Sequence, residues 1–375
     1  MSANPIYEIG DMPFCLGAME SPSNPSGLPN VHQFRLEVNH ELARLEQAKD
    51  AGLAELLDRA YRVGMEMGTP SDSTDLGQPY VDDFMRFMNK SVQPTGNLLE
   101  IGAGTGFLTR SLIDVGWRVI AVEPGRGYSK HWIKNGVSVI NDFFPSKEIS
   151  GAFDTIVFYT VLEHIKDTRS FLHSVKKHLK PNGMIFLGVP DCTLEIQAGD
   201  PSILLHEHYQ YFSVSSLANT LEDAGFTPVI EFSRYGRSIY AAASVSSVAT
   251  ESDCMDKSDL SVILEYPAKM MLSKKILNEK VVEWSSKGAV GIFCPSRVLN
   301  YLSDGPTYRF YDDAENLLGK YYPPFNSPIM SRKQLFQNPP DTLFIASRTF
   351  GSRIKKELLD QGLRSKIVTI EEIQE

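Results

Sequence analysis

Between residues 97 and 190 short apolar runs alternate with segments whose apolar positions recur at helical spacing: NLLEIG, FLTRSLIDVG, RVIAVEP, VSVIND, FDTIVFYT, a helical stretch to HLKPNG, and MIFLGVP. Runs rich in Val, Ile, Leu and Phe, separated by helical patterns, predict βα units and a parallel sheet buried on both faces. Ser213 is an N-cap candidate for a helix through SSLANTLEDAGF that Gly225 ends, after which TPVIEFSR and SIYAAASV read as a closing antiparallel pair. The polar stretch at 249–260 reads as a linker, and beyond it Met270, Leu277, Val281 and Trp284 share one helical face. GAVGIFCP, PTYRFYDD, DTLFIASR, SRIKKELLDQG and KIVTI then repeat the alternation as a second, smaller α/β set. At the front, FRLEVNHELARL predicts a hairpin turning near Asn39 and His40, and DAGLAELLDRAYRVG predicts a helix. This segment is too short for much core of its own and is expected to pack on its neighbour.

The pattern therefore divides the chain into a small front module at 1–75, an α/β core at 76–248, a linker and connecting helix at 249–287, and a C-terminal Rossmann-like α/β domain at 288–375. A length of 375 residues suits several folded units. With 42% hydrophobic and 22% charged residues the composition is that of a soluble globular protein. A formal net charge of -9 disfavours nucleic acid as a partner, and the basic run VKKHLK reads as a solvated helix face. The N-terminus MSANPIYEIGDMPF has no signal-peptide pattern and no stretch reads as a membrane span, so a cytoplasmic location and no membrane partner are expected. Cys15, Cys192, Cys254 and Cys294 form no CxxC pair; they read as packing thiols, and no metal is expected.

The sharpest local signal is LLEIGAGTGF at 98–107, where a buried strand meets a helix through Gly102, Gly104 and Gly106. Such glycines allow a tight turn and let a ligand lie against backbone amides. A dinucleotide fingerprint needs its third glycine at position 107, which is Phe107, and no Gly-Lys-Ser/Thr follows to make a P-loop. Glu123 ends the next strand, about 20 residues beyond the loop, where a carboxylate can accept both hydroxyls of a ribose. Asn141 and Asp142 follow the third strand. The ExGxGxG spacing, with Glu100 two residues before the first glycine, resembles motif I of the class I S-adenosylmethionine-dependent methyltransferases. That resemblance implies a Rossmann-like seven-stranded core, S-adenosylmethionine as cofactor, packing of Gly102, Ala103, Gly104 and Gly106 against its methionyl part, and Asp142 near the adenine. The methyl sulfonium is already electrophilic, so alignment of a nucleophile and, where required, proton removal suffice. NPPD at 338–341 is similar to the NPPY motif of amino-group DNA methyltransferases, but it lies in the second domain and Asp341 replaces the aromatic; it reads as a turn.

LLHEHYQYF at 204–212 sets His206, Glu207 and His208 in a row. From the residues alone three readings stand: metal ligation, structural hydrogen bonding, and proton transfer or substrate contact. In an extended segment His206 and His208 point one way and Glu207 the other, and a third metal ligand is not visible. LEH at 162–164, the HEHYQYFS block and the second α/β domain together resemble the sugar C-methyltransferases that act on nucleotide-linked keto-deoxysugars, over roughly residues 75–365. The resemblance implies a histidine that removes a proton beside a ketone, giving an enolate that attacks the methyl group. Glu207 and His208 match the family's Glu-His pair and His164 its LEH histidine; His208 is the leading base, with His206 as a further candidate. Tyr80 and Tyr209 are substrate-side candidates. Three departures stand out: Leu205 replaces a tyrosine, the front zinc module has lost its paired cysteines and is expected to be zinc-free, and GIFCPSR replaces the glycine-rich turn of the second domain. The expected activity is C-methylation of a nucleotide-linked sugar, with O-methylation of a sugar or other small metabolite as the near alternative. A non-catalytic cofactor-binding scaffold is the alternative of another class, and Phe107 argues against a nucleotide-dependent oxidoreductase.

Overall fold

A computed structural model describes residues 5–48, 50–62, 65, 77–125, 139–246, 255–302, 307–348 and 350–374. The first half of the proposed linker, with Cys254, and the beginning of VSVIND lie outside the described residues. The central sheet contains β4 (Asn97–Ile101), β5 (Arg118–Val122), β6 (Val139–Ile140), β7 (Phe153–Tyr159), β8 (Leu179–Pro190), β10 (Phe226–Phe232) and β11 (Ser238–Val245), in the order β10-β11-β8-β7-β4-β5-β6. Five strands are parallel, and β11 runs antiparallel to both β8 and β10, as the alternation predicted. Leu99, Ile156, Ile185 and Ala241 are fully buried across four neighbouring strands, the pattern of a sheet with both faces covered. The order reverses direction at β4, between β7 and β5, so a crevice opens at the carboxyl ends of these strands. One such end carries the glycine loop into helix Phe107–Asp114; another carries the 3-10 turn Leu162–His164. Ser213 caps helix Val214–Asp223 through a capping box with Ser216, and Gly225 follows its end at φ +80°.

The front segment forms β1 (Ile6–Pro13) and the hairpin β2 (Val31–Asn39) with β3 (Arg44–Gln47), followed by helix Ala51–Arg62. Its sheet is completed by β9 (Gln210–Tyr211), which comes from within the HEHYQYF block, so the module is not contiguous in sequence. Phe34, Leu36, Val38 and Leu45 pack with Tyr211, Leu204 and Met270 in one cluster, which supplies the core that the short segment lacks. Cys15 is buried, and its Sγ accepts the Gly17 N–H at 3.2 Å.

Helix Leu260–Ser285 joins the parts. Ile263, Tyr266 and Met270 belong to the front cluster, while Leu277, Val281 and Trp284 belong to the core of the second domain. That domain is a parallel sheet of β12 (Val290–Phe293), β13 (Tyr308–Tyr311), β14 (Ile329–Met330), β15 (Thr342–Ile345) and β16 (Lys366–Thr369), in the order β14-β13-β12-β15-β16. In the NPPD turn, Asp341 accepts the Ala289 N–H at 2.7 Å and ties the starts of β12 and β15 together. The second domain grips the segment leading into HEHYQYF. Asp200 is buried; its Oδ2 pairs with Arg348 at 2.5 Å, its carboxylate accepts from the Tyr301 hydroxyl, and its carbonyl accepts from Tyr266 at 3.0 Å. Asn300, also buried, donates to the carbonyls of Pro201 at 3.1 Å and Leu204 at 2.6 Å.

Candidate active site

The glycine loop leaves β4 with Gly102, Gly104 and Gly106 all at positive φ, 77°, 52° and 80°, conformations that L side chains rarely take. A Cβ on Gly102 would stand 2.5 Å from Val161 Cγ2, so this glycine keeps the loop and the strand-end turn in close approach. Gly102 and Ala103 donate to the Val122 carbonyl at 2.8 and 3.3 Å, fixing the loop against the end of β5. Glu123 follows directly; its carboxylate accepts from Gly104 N–H at 2.9 Å and Gly125 N–H at 2.7 Å. Asn141 donates to the Glu123 carbonyl at 2.8 Å, and Asp142 beside it accepts the Phe143 N–H at 2.8 Å. Glu100 lies beneath the loop with Oε2 unpartnered among the described residues, and burial pushes its acid up to about 8. Bare backbone, a carboxylate at the second strand end and a polar third strand end fit the methionyl, ribose and adenine parts of S-adenosylmethionine.

A second group of polar side chains lies one strand over. His164 ends the turn after β7, and its Nδ1 stands 2.9 Å from the Glu207 carbonyl and 3.1 Å from the Tyr61 hydroxyl. A carbonyl only accepts, so Nδ1 carries the proton and Nε2 keeps its lone pair. The His208 ring meets His164 edge-on with centroids 4.8 Å apart. Ligand-type atoms of Glu163, His164 and His208 all lie within 4.8 Å of one another, so Glu163 supplies the third group that the sequence pattern lacked. Burial holds His164 down to about 4 and His208 well below the usual imidazole range, the latter helped by His164 and Arg297. Burial pushes the acids of Glu163 and Glu207 up to about 8 and about 7, with Arg297 opposing the rise at Glu207. Such a set of neutral imidazoles and weak carboxylic acids can accept, hold and pass a proton near neutral pH.

The expectation that His206 and His208 share a face does not hold. The segment is not extended there: His208 N–H closes a turn on the Leu205 carbonyl at 2.9 Å, which turns the two rings apart. His206 stands in the front module with Phe34 at 4.9 Å, His32 at 5.5 Å and Phe14 at 5.7 Å between centroids, and burial drives its pKa down to about 3. Tyr209 packs with Phe14 and Leu53 in the front module, where its N–H donates to the Glu163 carbonyl at 2.7 Å. Tyr80 stacks on Tyr235 at 5.4 Å, in the turn that faces the carboxyl end of β8. The tyrosine that reaches the histidines is Tyr61, from helix Ala51–Arg62; burial, then Glu207, Tyr209, Glu163 and Glu123, hold its hydroxyl well above the usual phenol range. Neither Tyr61 nor Glu163 carried a local motif of its own, although Glu163 is the middle residue of LEH.

A methyltransferase-domain family model matches residues 74–231. The C-methyltransferase NovU of Streptomyces niveus is 28% identical over 138 residues, covering 35% of this chain and 33% of that protein. A ubiquinone biosynthesis O-methyltransferase of Actinobacillus pleuropneumoniae is 32% identical over 110 residues, covering 26% of this chain and 47% of that protein. The matches thus span 33% and 47% of these relatives' lengths. Among solved structures, a DhpI complex with S-adenosylhomocysteine aligns over 53% of this chain at 19% identity with a TM-score of 0.42. Among the described residues no helix is long and apolar enough to cross a membrane. Residues 74–231 are thus similar to a methyltransferase domain.

Proposed function

We propose that the chain methylates a carbon of a nucleotide-linked keto-deoxysugar, with His208 as the base. The observation that carries this reading is the cluster of half-buried His164 with buried Glu163, Glu207 and His208 beside the glycine loop, at the crevice where the sheet order reverses. The bound sulfonium supplies an electrophilic methyl group. The chain's own task is to align a nucleophilic carbon and to take its proton. A His208 kept neutral by burial is ready to accept a proton at neutral pH. Accepting it creates an imidazolium in dry surroundings, and ionised Glu163 offsets that charge at close range. His164, committed through Nδ1 to the Glu207 carbonyl, fixes the loop that carries His208. On the cofactor side Gly102, Ala103, Gly104 and Gly106 lie along the methionyl part, Glu123 serves the ribose and Asp142 the adenine. Tyr80 with Tyr235 forms a rim at the carboxyl end of β8 where an acceptor enters.

The O-methyltransferase relatives favour a second reading, in which the same imidazole deprotonates a hydroxyl. Mass spectrometry after incubation with isotope-labelled S-adenosylmethionine separates the two. Label on carbon of keto-sugar nucleotides supports carbon methylation; label only on non-keto hydroxyl acceptors overturns it and leaves the second reading. S-adenosylhomocysteine is expected to raise Tm, and absence of any shift would count against both. Rates unchanged by EDTA assign the cluster to proton transfer, whereas a loss restored by a divalent ion assigns it to metal binding.

A further inference from the structure

Two links to the main chain join the turn after β7 to the loop before β9. Tyr209 N–H donates to the Glu163 carbonyl at 2.7 Å, and His164 Nδ1 donates to the Glu207 carbonyl at 2.9 Å. Held by these links, Glu163, His164 and His208 each offer a ligand-type atom, and the three atoms lie within 4.8 Å of one another. Among the described residues no other three of His, Cys, Asp or Glu come together in this way.

Each of the three can give an electron pair. Glu163 is 1% exposed, and its Oε2 has no hydrogen-bond partner among the described residues. Leaving such a buried acceptor unmet is costly, and a cation is a group that meets it. With its proton on Nδ1, His164 offers Nε2, which stands 4.0 Å from Glu163 Oε1. His208 is buried, and its ring meets that of His164 at 87°. His206 takes no part, because its ring lies among Phe14, His32 and Phe34.

Two imidazoles and one carboxylate with a fourth position open are a zinc-type ligand set, with bonds of about 2.0–2.2 Å. A tetrahedron of that size separates its ligand atoms by about 3.4 Å, so from 4.8 Å apart each ligand moves inward by less than about 1 Å. The bond from His164 Nδ1 to a carbonyl is the outer contact that orients metal-bound histidines. Iron(II) takes similar ligands but stands lower in the Irving–Williams order, and magnesium prefers oxygen.

We infer that Glu163, His164 and His208 form a binding site for a zinc-type divalent cation, and that the ion and the substrate proton exclude each other there. This rests on the proposed role of His208 as the base. An ion bonded to His208 occupies the lone pair that takes the proton, and any proton on Glu163 leaves for solvent as the ion binds. The metal-loaded chain therefore keeps its cofactor but transfers no methyl group, and the metal-free chain is the active one.

The test is titration of zinc chloride into the full chain saturated with S-adenosylhomocysteine, read by calorimetry and by competition with a coloured chelator. The parent is expected to bind zinc, and Glu163→Gln and His208→Asn should each weaken binding ~10-fold or more, since even outer partners of a metal are worth ~10–100-fold. Magnesium should not compete. S-adenosylhomocysteine should bind parent and variants alike, which shows both variants to be folded. Cobalt(II) in place of zinc should give the visible bands of a four-coordinate ion in the parent and lose them in the variants. On an acceptor that the mass-spectrometric screen identifies, zinc should abolish methyl transfer and EDTA restore it. Equal zinc affinity in parent and both variants, or no binding to the parent, overturns the site; methyl transfer at full rate with the site filled overturns the exclusion. Zinc binding as expected with no binding of S-adenosylhomocysteine to the parent upholds the cation site and removes the methyltransferase reading beneath its role.

Discussion

The proposed cofactor side comes mostly from one stretch, Glu100 to Gly125, joined by Asp142 from the next strand end, whereas the proposed acceptor side is gathered from three places. Tyr61 comes from the front helix, Glu163 and His164 from the turn after β7, and Glu207 and His208 from the loop before β9. The first side works chiefly with backbone N–H groups and a single carboxylate, set by local turn geometry. The second works with side chains whose separation depends on how three packed units meet. A constant ligand can be served by a sequence-local loop; a variable acceptor is served by elements that can change one at a time. The two sides should therefore respond separately to substitution.

The largest separation is expected from His208→Asn. Removal of a general base costs ~100-fold or more in kcat, while affinity for S-adenosylhomocysteine should stay within about two-fold, because the glycine loop is untouched. A parallel fall in cofactor affinity, measured by calorimetry, would show that the sides are not independent. The converse variant is Gly102→Ala. At φ +77° an alanine costs ~1–2 kcal/mol, and its Cβ would press on Val161. S-adenosylhomocysteine affinity should fall ~10-fold or more. Because Val161 directly precedes the Leu162–His164 turn, a shifted acceptor KM in the same variant would locate a mechanical link between the sides.

Asn300→Ala tests the same separation from the second domain. It strips the donor from two carbonyls of the segment leading to His206, at a cost of ~1–3 kcal/mol for buried unpaired groups. Tm should fall and kcat should drop roughly ten-fold as His208 loses its fixed position, with cofactor affinity unchanged. A kcat equal to the parent's would mean that the loop holds its shape without the second domain.

The same contrast explains what the sequence made legible. The glycine loop after a strand, the position of Glu123 at a strand end and the parallel βα alternation with its closing antiparallel pair are local or periodic, and they read out as observed, as did the capping at Ser213 and the shared face of Met270, Leu277, Val281 and Trp284. His164 and His208 emerged through short motif words, but their meeting depends on a turn at 205–208 that alternation could not reveal. For that reason His206 was expected beside His208 and lies instead among the aromatics of the front sheet. Tyr61 had no readable pattern at all: it is a tyrosine late in an amphipathic helix, and only packing between units brings it to His164. Strand β9, two residues long, belongs to the front sheet through its pairing with β3 and has too little length for period-two patterning to show.

The smallest expected effect is in the pH dependence of stability, and it isolates the acceptor side because its groups titrate in two distinct windows. Glu163 and Glu207 have folded-state pKa values raised to about 8 and about 7, above the ordinary glutamate value of 4.5. The stability they contribute is fully present below about 4.5 and is lost as pH rises through those values. His164 is depressed to about 4 and His208 lies lower than usual, so their contribution is complete above about 6.5 and is lost only as pH falls. Between pH 6.5 and 8 the folded-state histidines are neutral and the unfolded ones shed their remaining protons, a smaller and opposing change than that of the two carboxyls, which dominate at this cluster. Stability should therefore fall across that interval, with a slope of up to ~1.4 kcal/mol per pH unit for each proton involved. Glu163→Gln should flatten the slope, and kcat, which benefits from an ionised carboxylate beside the imidazolium, should lose part of its rise over the same interval. A denaturant midpoint that stays constant from pH 6.5 to 8 in the parent would mean that these carboxyls are already ionised, and that His208 works beside a fixed negative charge.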